Sequence, residues 1–209
     1  IVHVYNPSTG WIQNCNSTPF TVSGVASPDK NKYPKYMSPD GENPRAVNAI
    51  RLLSNENNFT LDKMIETGYN THLFAFDILL PSLFIAHYEK QQRSAGVFAD
   101  LNDAIQLLKD WNKESSAASV ATTLAIEWAT KLSLKIPAAK TDEEKSNLIG
   151  RFNAMAENTS AAEKINLLED VMKELEKNFG TWKVTWGEMN RNQRLADDLQ
   201  KKFDDNNIS

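Results

Sequence analysis

Apolar residues recur at helical spacing over most of the chain between residues 42 and 180. Leu101, Ile105 and Leu108 stand three or four positions apart, which places them on one face of a predicted helix. Similar stretches predict further helices near residues 44–53, 60–68, 72–91, 117–134 and 160–180. The pattern therefore predicts a mainly α fold built from several helices.

Capping residues mark the ends of these helices. Asn43 can accept a hydrogen bond from the first turn, and Pro44 suits the first helical position because its missing N–H is not needed there. Residues 141–144 and 160–163 have the spacing of capping boxes and predict two further helix starts. Pro81 lies inside an apolar run, and we expect it to kink that helix or to split it in two.

The two ends of the chain lack helical periodicity. Ile1–Tyr5 alternates and is rich in β-branched residues, which predicts a strand, and residues 11–16 predict a second strand or an extended segment. Trp182 and Trp186 would fall on the same side of an extended segment. We therefore expect a mainly α multi-helix domain with a short β or extended N-terminal segment.

This pattern divides the chain into three parts. The first 40 residues form a strand and a long surface loop rich in Ser, Pro, Asp and Lys, and loops of that length are often functional. Residues 41–181 form the helical domain. Residues 182–209 form a returning segment that ends in a charged tail. We expect this tail, residues 197–209, to be partly disordered because it has few apolar residues to bury.

Composition narrows the classes of partner. The chain of 209 residues has 41% hydrophobic and 24% charged residues, as ordinary globular proteins do. Its net charge of −4 comes from 23 basic and 27 acidic side chains without a basic run, which argues against a nucleic-acid partner. The longest apolar run, residues 78–86, is far shorter than the roughly 20 residues of a membrane span. Cys15 is the single cysteine, so no internal disulfide can form.

Few residues suggest chemistry by their spacing. Asn14 and Asn16 point to one face of an extended segment, and an asparagine amide is a neutral donor that can stabilise a negative oxygen. Spacing alone favours a simpler interpretation, since two Asn near a turn are usually turn formers. Cys15 has no Cys–His pattern beside it and is interpreted as a packed residue. The three histidines lack the spacing of a zinc site and are assigned to packing or to the surface.

Two segments resemble the large chain of penicillin acylases, in the penicillin amidase family. Gly10–Pro19 reads Gly-Trp-Ile-Gln-Asn-Cys-Asn-Ser-Thr-Pro, similar to a family segment of the form Gly-Tyr-Ile-x-Asn-Trp-Asn-Ser-x-Pro. Arg45, with Arg51-Leu52-Leu53 beginning six positions later, resembles a second family pattern. The resemblance implies that Asn16 is the oxyanion-hole asparagine and that Arg45 is the active-site arginine. Cys15 departs from the pattern, because the family has Trp there.

The two arginines are expected to act separately. A separation of six residues places Arg45 and Arg51 about 120° apart around a helix, so they cannot form one clamp on a single face. Arg51 is expected to anchor the helix through an ion pair. For Arg45 the simpler alternative is a solvated surface residue. The stretch between Asn16 and Arg45 is longer than in penicillin G acylase, so contacts with the acyl group are not transferred, and no substrate-binding residue is assigned.

The resemblance implies an N-terminal-nucleophile amide hydrolase with an αββα sandwich. Ile1 carries neither hydroxyl nor thiol and no initiator Met precedes it, so we expect a piece of an acylase that is inactive alone. The partners implied are the small chain, the rest of the large chain and a small-molecule amide, with neither nucleic acid nor membrane. The implied location is periplasmic or secreted. No cofactor is required, although the intact enzyme can hold calcium; Asp29 and Asp40 match no family ligand.

A non-enzymatic helical interaction module is the alternative. Such a module should cover its own apolar surface, whereas a piece of an acylase should expose apolar residues near Ile1–Tyr5 and Trp182–Trp186. The two interpretations therefore differ in how these two ends pack.

Overall fold

The computed structural model describes residues 1–93 and 99–191. Within these ranges it contains nine α-helices and, in the long N-terminal loop, four short 3-10 turns. The helices are α1 (Pro44–Ser54), α2 (Leu61–Gly68), α3 (Ala75–Arg93), α4 (Ala99–Asp110), α5 (Val120–Ser133), α6 (Asp142–Ser146), α7 (Leu148–Asn158), α8 (Ala161–Phe179) and α9 (Trp186–Met189). The 3-10 turns are Pro19–Thr21, Gly24–Ala26, Lys30–Lys32 and Lys35–Met37. The prediction of a mainly α multi-helix domain is confirmed.

The strand predicted for Ile1–Tyr5 is wrong. In the described ranges the only β pairing is an isolated bridge between His72 and Glu114. Ile1 and Tyr5 are 99% and 92% exposed, so this segment has no neighbouring strand to supply the inter-strand hydrogen bonds that a ladder requires. The alternating side chains of Ile1–Tyr5 are typical of a strand, but no strand among the described residues pairs with this segment.

The core lies where α3, α5 and α8 meet, with α7 packed against α3. Trp128 of α5 is fully buried, and its Nε1 donates to the backbone carbonyl of Lys164 in α8 at 2.9 Å. A buried indole needs such an acceptor, because an unpaired N–H would cost free energy inside the core. The bond fixes how α5 and α8 pack against each other.

Helix α3 runs through Pro81 without division. Of the two outcomes expected at this proline, the split into two helices is wrong, since Ala75–Arg93 is one element. Leu79, Leu80 and Leu83 are completely buried on both sides of the proline. Their burial holds the two halves in one helix at the cost of the backbone hydrogen bond that proline cannot donate.

The predicted helix boundaries are confirmed where a side chain defines them. Asn43 accepts from the backbone N–H of Ala46, and both capping boxes, at Thr141 and at Ser160, are complete. Gly180 ends α8 in the left-handed conformation with φ of 76°, which glycine adopts without steric cost. These capping and stop signals act within one helical turn, so local sequence alone is enough to predict them.

The segment after α8 packs differently from the prediction. Trp182 and Val184 alternate inward and are only 8% and 2% exposed, within the core. Trp186 instead begins α9, and its backbone N–H donates to the carbonyl of Ser119 at 3.1 Å. The apolar exposure expected near Trp182 is therefore wrong, while that expected near Ile1–Tyr5 is present. The charged tail, residues 197–209, lies outside the described residues.

Candidate functional site

Residues 14–16 form a tight turn, called here the asparagine turn. The Oδ1 atom of Asn14 accepts from the backbone N–H of Asn16 at 3.0 Å. Asn16 itself has φ of +56°, a left-handed conformation that asparagine tolerates better than most residues. Asn14 is thus the turn former of the pair, and the exposed side chain of Asn16 remains available for chemistry.

Arg45 reaches this turn from the second position of α1. Its Nη2 atom donates to Oδ1 of Asn16 at 3.1 Å, across 29 positions of sequence. A guanidinium has donors and no acceptor, so the atom of Asn16 that faces it is the carbonyl oxygen. The Nδ2 group of Asn16 therefore faces away from Arg45, with two N–H donors to offer. The two residues that the resemblance singled out are in direct contact.

Asn43 contacts the same turn from the N-cap position of α1. Its Oδ1 caps α1 by accepting from the N–H of Ala46 at 3.0 Å, as predicted. Its Nδ2 donates to the backbone carbonyls of Cys15 and Asn16 at 3.0 and 3.1 Å, which sequence reasoning missed. Asn43 is only 6% exposed, so these bonds lie in a protected environment. The sequence did contain a signal for this donor role, because an asparagine N-cap uses only its side-chain oxygen and leaves its Nδ2 group to donate elsewhere.

Residues 39–42, called here the strap, join the asparagine turn to the helical domain. The carbonyl of Gly41 accepts from the N–H of Thr18 at 3.1 Å, and the Gly41 N–H donates to Oγ of Ser146 at 3.1 Å. The carbonyl of Glu42 accepts from the N–H of Ile149 at 3.3 Å. The strap therefore hydrogen-bonds to the loop after the turn and to the junction of α6 and α7.

The other side of the turn is held by the loop of 3-10 turns. The N–H of Gln13 donates to the carbonyl of Val22 at 2.8 Å, and Oγ of the buried Ser23 donates to the carbonyl of Trp11 at 2.7 Å. A Cβ at Gly24 would lie 3.2 Å from the Trp11 ring, so glycine allows the indole to approach the backbone closely. Residues 11–13 are thus fixed before the asparagine turn begins.

Arg51 lies apart from this site. Its Nε and Nη2 atoms donate to Oδ1 of Asn48 at 3.2 and 2.7 Å, and Nδ2 of Asn48 donates to Oδ1 of Asn70 at 2.9 Å. Among residues 1–93 and 99–191 the ion pair predicted for Arg51 is not formed, and an amide oxygen one turn earlier on the same helix takes the place of a carboxylate. The separation of Arg45 and Arg51 into two roles agrees with their angular positions on α1.

The remaining titratable candidates lie away from the asparagine turn. Nε2 of His72 contacts Oδ2 of Asp77 at 2.7 Å, and Nζ of Lys113 contacts Oδ1 of the same carboxylate at 2.6 Å. Burial raises the pKa of Asp77, but the hydrogen bonds from Lys113 and His72 outweigh it and leave that pKa below its usual value. His87 is buried and pairs with Asn102 at 2.8 Å. Both contacts are structural.

The calcium that the resemblance allows finds no ligand set among residues 1–93 and 99–191, where no group of three or more His, Cys, Asp or Glu could hold a metal ion. Asp29 instead caps the Lys30–Lys32 turn by accepting from the N–H of Asn31 at 3.0 Å. Asp40 accepts from Oγ of Ser38 at 3.4 Å. Both carboxylates are thus used in local contacts.

The sequence model of the penicillin amidase family matches residues 1–208. The chain belongs to this family. The match includes the asparagine turn, Arg45 and the whole helical domain, so the contact between Asn16 and Arg45 lies in a penicillin amidase framework. Membership indicates amide hydrolysis, broadly of the acylase type. None of the helices in the described part of the chain is long and apolar enough to cross a membrane.

Proposed function

We propose that this chain contributes the oxyanion-binding part of an acylase that cleaves a linear amide, such as an acylated amine or the side-chain amide of a β-lactam. The supporting observation is the hydrogen bond from Nη2 of Arg45 to Oδ1 of Asn16 at 3.1 Å. Because Arg45 occupies the oxygen of the Asn16 amide, the Nδ2 donors of the same amide remain available for another acceptor. A fixed neutral donor suits an oxygen that becomes negative only in the transition state.

The proposed reaction follows the chemistry of an N-terminal serine supplied outside these residues. The serine hydroxyl attacks the amide carbonyl carbon, and its proton passes to the serine's own α-amino group. The carbonyl oxygen becomes an oxyanion that accepts from Nδ2 of Asn16. The C–N bond then breaks, the leaving amine takes the proton, and an acyl-enzyme remains. Water hydrolyses this ester, which releases the acid and the free serine.

The exposure of the site supports partners that cover it. Asn16 and Arg45 are both exposed in this chain, whereas an oxyanion donor is most effective where water is excluded. In the proposed enzyme the small chain and the rest of the large chain enclose the two residues. Ile1 and Tyr5, which are almost fully exposed, are candidates for the same contact. The proposed enzyme is periplasmic or secreted and uses no cofactor in the steps above.

The test is Asn16→Ala in the acylase that contains this chain. Removal of one oxyanion donor is expected to lower kcat by about 10²–10³-fold, with little change in folding. Asn6→Ala is the matched control, because Asn6 is also an exposed asparagine with positive φ, at 45°, and so has the same backbone preference. Wild-type turnover by Asn16→Ala would remove Asn16 from the mechanism.

A further inference from the structure

Both ends of the Asn43 side-chain amide are used, for two different purposes. Oδ1 caps α1, while Nδ2 donates to two consecutive carbonyls of the asparagine turn. We propose that Asn43 is a positioning residue for amide hydrolysis, whose Nδ2 holds the Asn16 backbone in the conformation that aims the oxyanion donor. This inference rests on the role proposed for Asn16.

The conformation of Asn16 needs such support. A residue other than glycine at φ of +56° is in a sparsely populated region, and a turn free in solvent would leave it readily. The two Nδ2 protons of Asn43 match the carbonyls of Cys15 and Asn16 at 3.0 and 3.1 Å. Asn43 is only 6% exposed, so loss of these bonds would leave its Nδ2 group without partners in a buried position. That cost favours the conformation of Asn16 in which the bonds form.

The same helical turn fixes the asparagine from two directions. Asn43 holds the backbone of Asn16, and Arg45, two positions later, holds its side-chain oxygen. The cap on Ala46 in turn fixes where α1 begins, and hence where the Arg45 guanidinium lies. A displacement of the turn relative to α1 would therefore change both contacts together. Misplacement of a catalytic group by about 1 Å can cost about 10²-fold in rate.

Capping alone does not require an asparagine at this position. Asn, Asp and Ser are nearly equivalent as N-caps, since each offers a side-chain oxygen. Other helices of this chain begin at Ser119 and Ser160 with the same function. What Asn has and Asp or Ser lacks is the NH₂ group, so these two substitutions separate the cap from the donor.

The experiment compares Asn43→Asp and Asn43→Ser with Asn147→Asp in the intact acylase. Asn147 caps α7 through Oδ1, which accepts from the N–H of Gly150 at 2.9 Å, and within the described residues its Nδ2 donates to no acceptor. Each Asn43 variant is expected to lower kcat by about tenfold or more with KM within about twofold, because the donor geometry matters in the transition state. The control is expected to leave both constants within about twofold.

A second measurement separates positioning from folding. The midpoint of thermal unfolding gives the folded fraction of each variant, and a crystal structure of Asn43→Ser should show Asn16 displaced from positive φ. The proposal is overturned by wild-type kcat in both Asn43 variants, or by a loss of kcat that disappears once the folded fraction is corrected. If Asn16→Ala keeps wild-type turnover, the function proposed for Asn16 fails, whatever the Asn43 variants do.

Discussion

Arg45 is predicted to act on catalysis through Asn16, and the structure sets the size of that effect. Arg45→Ala removes the bond from Nη2 to Oδ1 at 3.1 Å and frees the amide to rotate. A hydrogen bond to a charged group contributes about 1.5–3 kcal/mol, and the lower half of that range applies here because both side chains are exposed to solvent. We therefore expect kcat to fall about 10- to 40-fold in the proposed acylase.

The decisive assay is a double-mutant cycle of Arg45→Ala and Asn16→Ala, with kcat and KM measured for all four proteins. If Arg45 only orients Asn16, it has no target once that amide is gone. Arg45→Ala should then lower kcat by less than about threefold in the Asn16→Ala background, so the two effects are strongly non-additive. Fully additive losses would refute the reasoning, since they would mean that Arg45 contacts the substrate or the nucleophile independently of Asn16.

Two further predictions concern stability and are measured as the midpoint of thermal unfolding. Gly41→Ala should lower the midpoint, because a Cβ there would lie 2.7 Å from Cα of Asn147, and overpacking costs about 1–3 kcal/mol. Gly68→Ala, with no atom within 4 Å of its Cβ position, is the control, and an equal effect of the two substitutions would contradict the packing argument. Asp77 has a lowered pKa in the folded state, so its contribution is fully present above its ordinary pKa of 3.8 and is lost as pH falls through the folded value. Asp77→Asn should therefore destabilise the protein at neutral pH and reduce the loss of stability between neutral and acid pH; an unchanged pH profile would contradict this.

The helices were predictable because their signals are local. A cap such as Ser160 and a stop such as Gly180 act within a turn of the residues they organise, and both are where the sequence indicates. Pro81 was not predictable in the same way, since the penalty of a proline is local but the burial that overrides it comes from α7 and α8. The strand at Ile1–Tyr5 failed for the converse reason, because a strand depends on a partner that the local pattern does not contain.

The site shows the same division between local and long-range information. Asn16 and Arg45 were predicted as site residues through a resemblance. The spacing of residues alone favoured a turn former at Asn16, and a solvated surface residue stayed the alternative for Arg45. Their contact spans 29 positions, and that between Gly41 and Ser146 spans 105. The periodicity of apolar residues along the chain cannot predict contacts over such long sequence distances. The donor role of Asn43 was missed because a capping interpretation already accounted for the residue, although it used only half of the side-chain amide.

The position of the proposed oxyanion donor, Asn16, is therefore determined by the helical domain as much as by its own loop. The loop from residue 19 to 37 contains only 3-10 turns, which are short and hold little structure by themselves. The asparagine turn is instead tied to the first turn of α1, and the strap ties the start of α1 to the α6–α7 junction. A perturbation at Gly41 should consequently reach Asn16 through bonded neighbours, without any contact with substrate. In the proposed function the helices contribute to catalysis by fixing where the Asn16 amide group points.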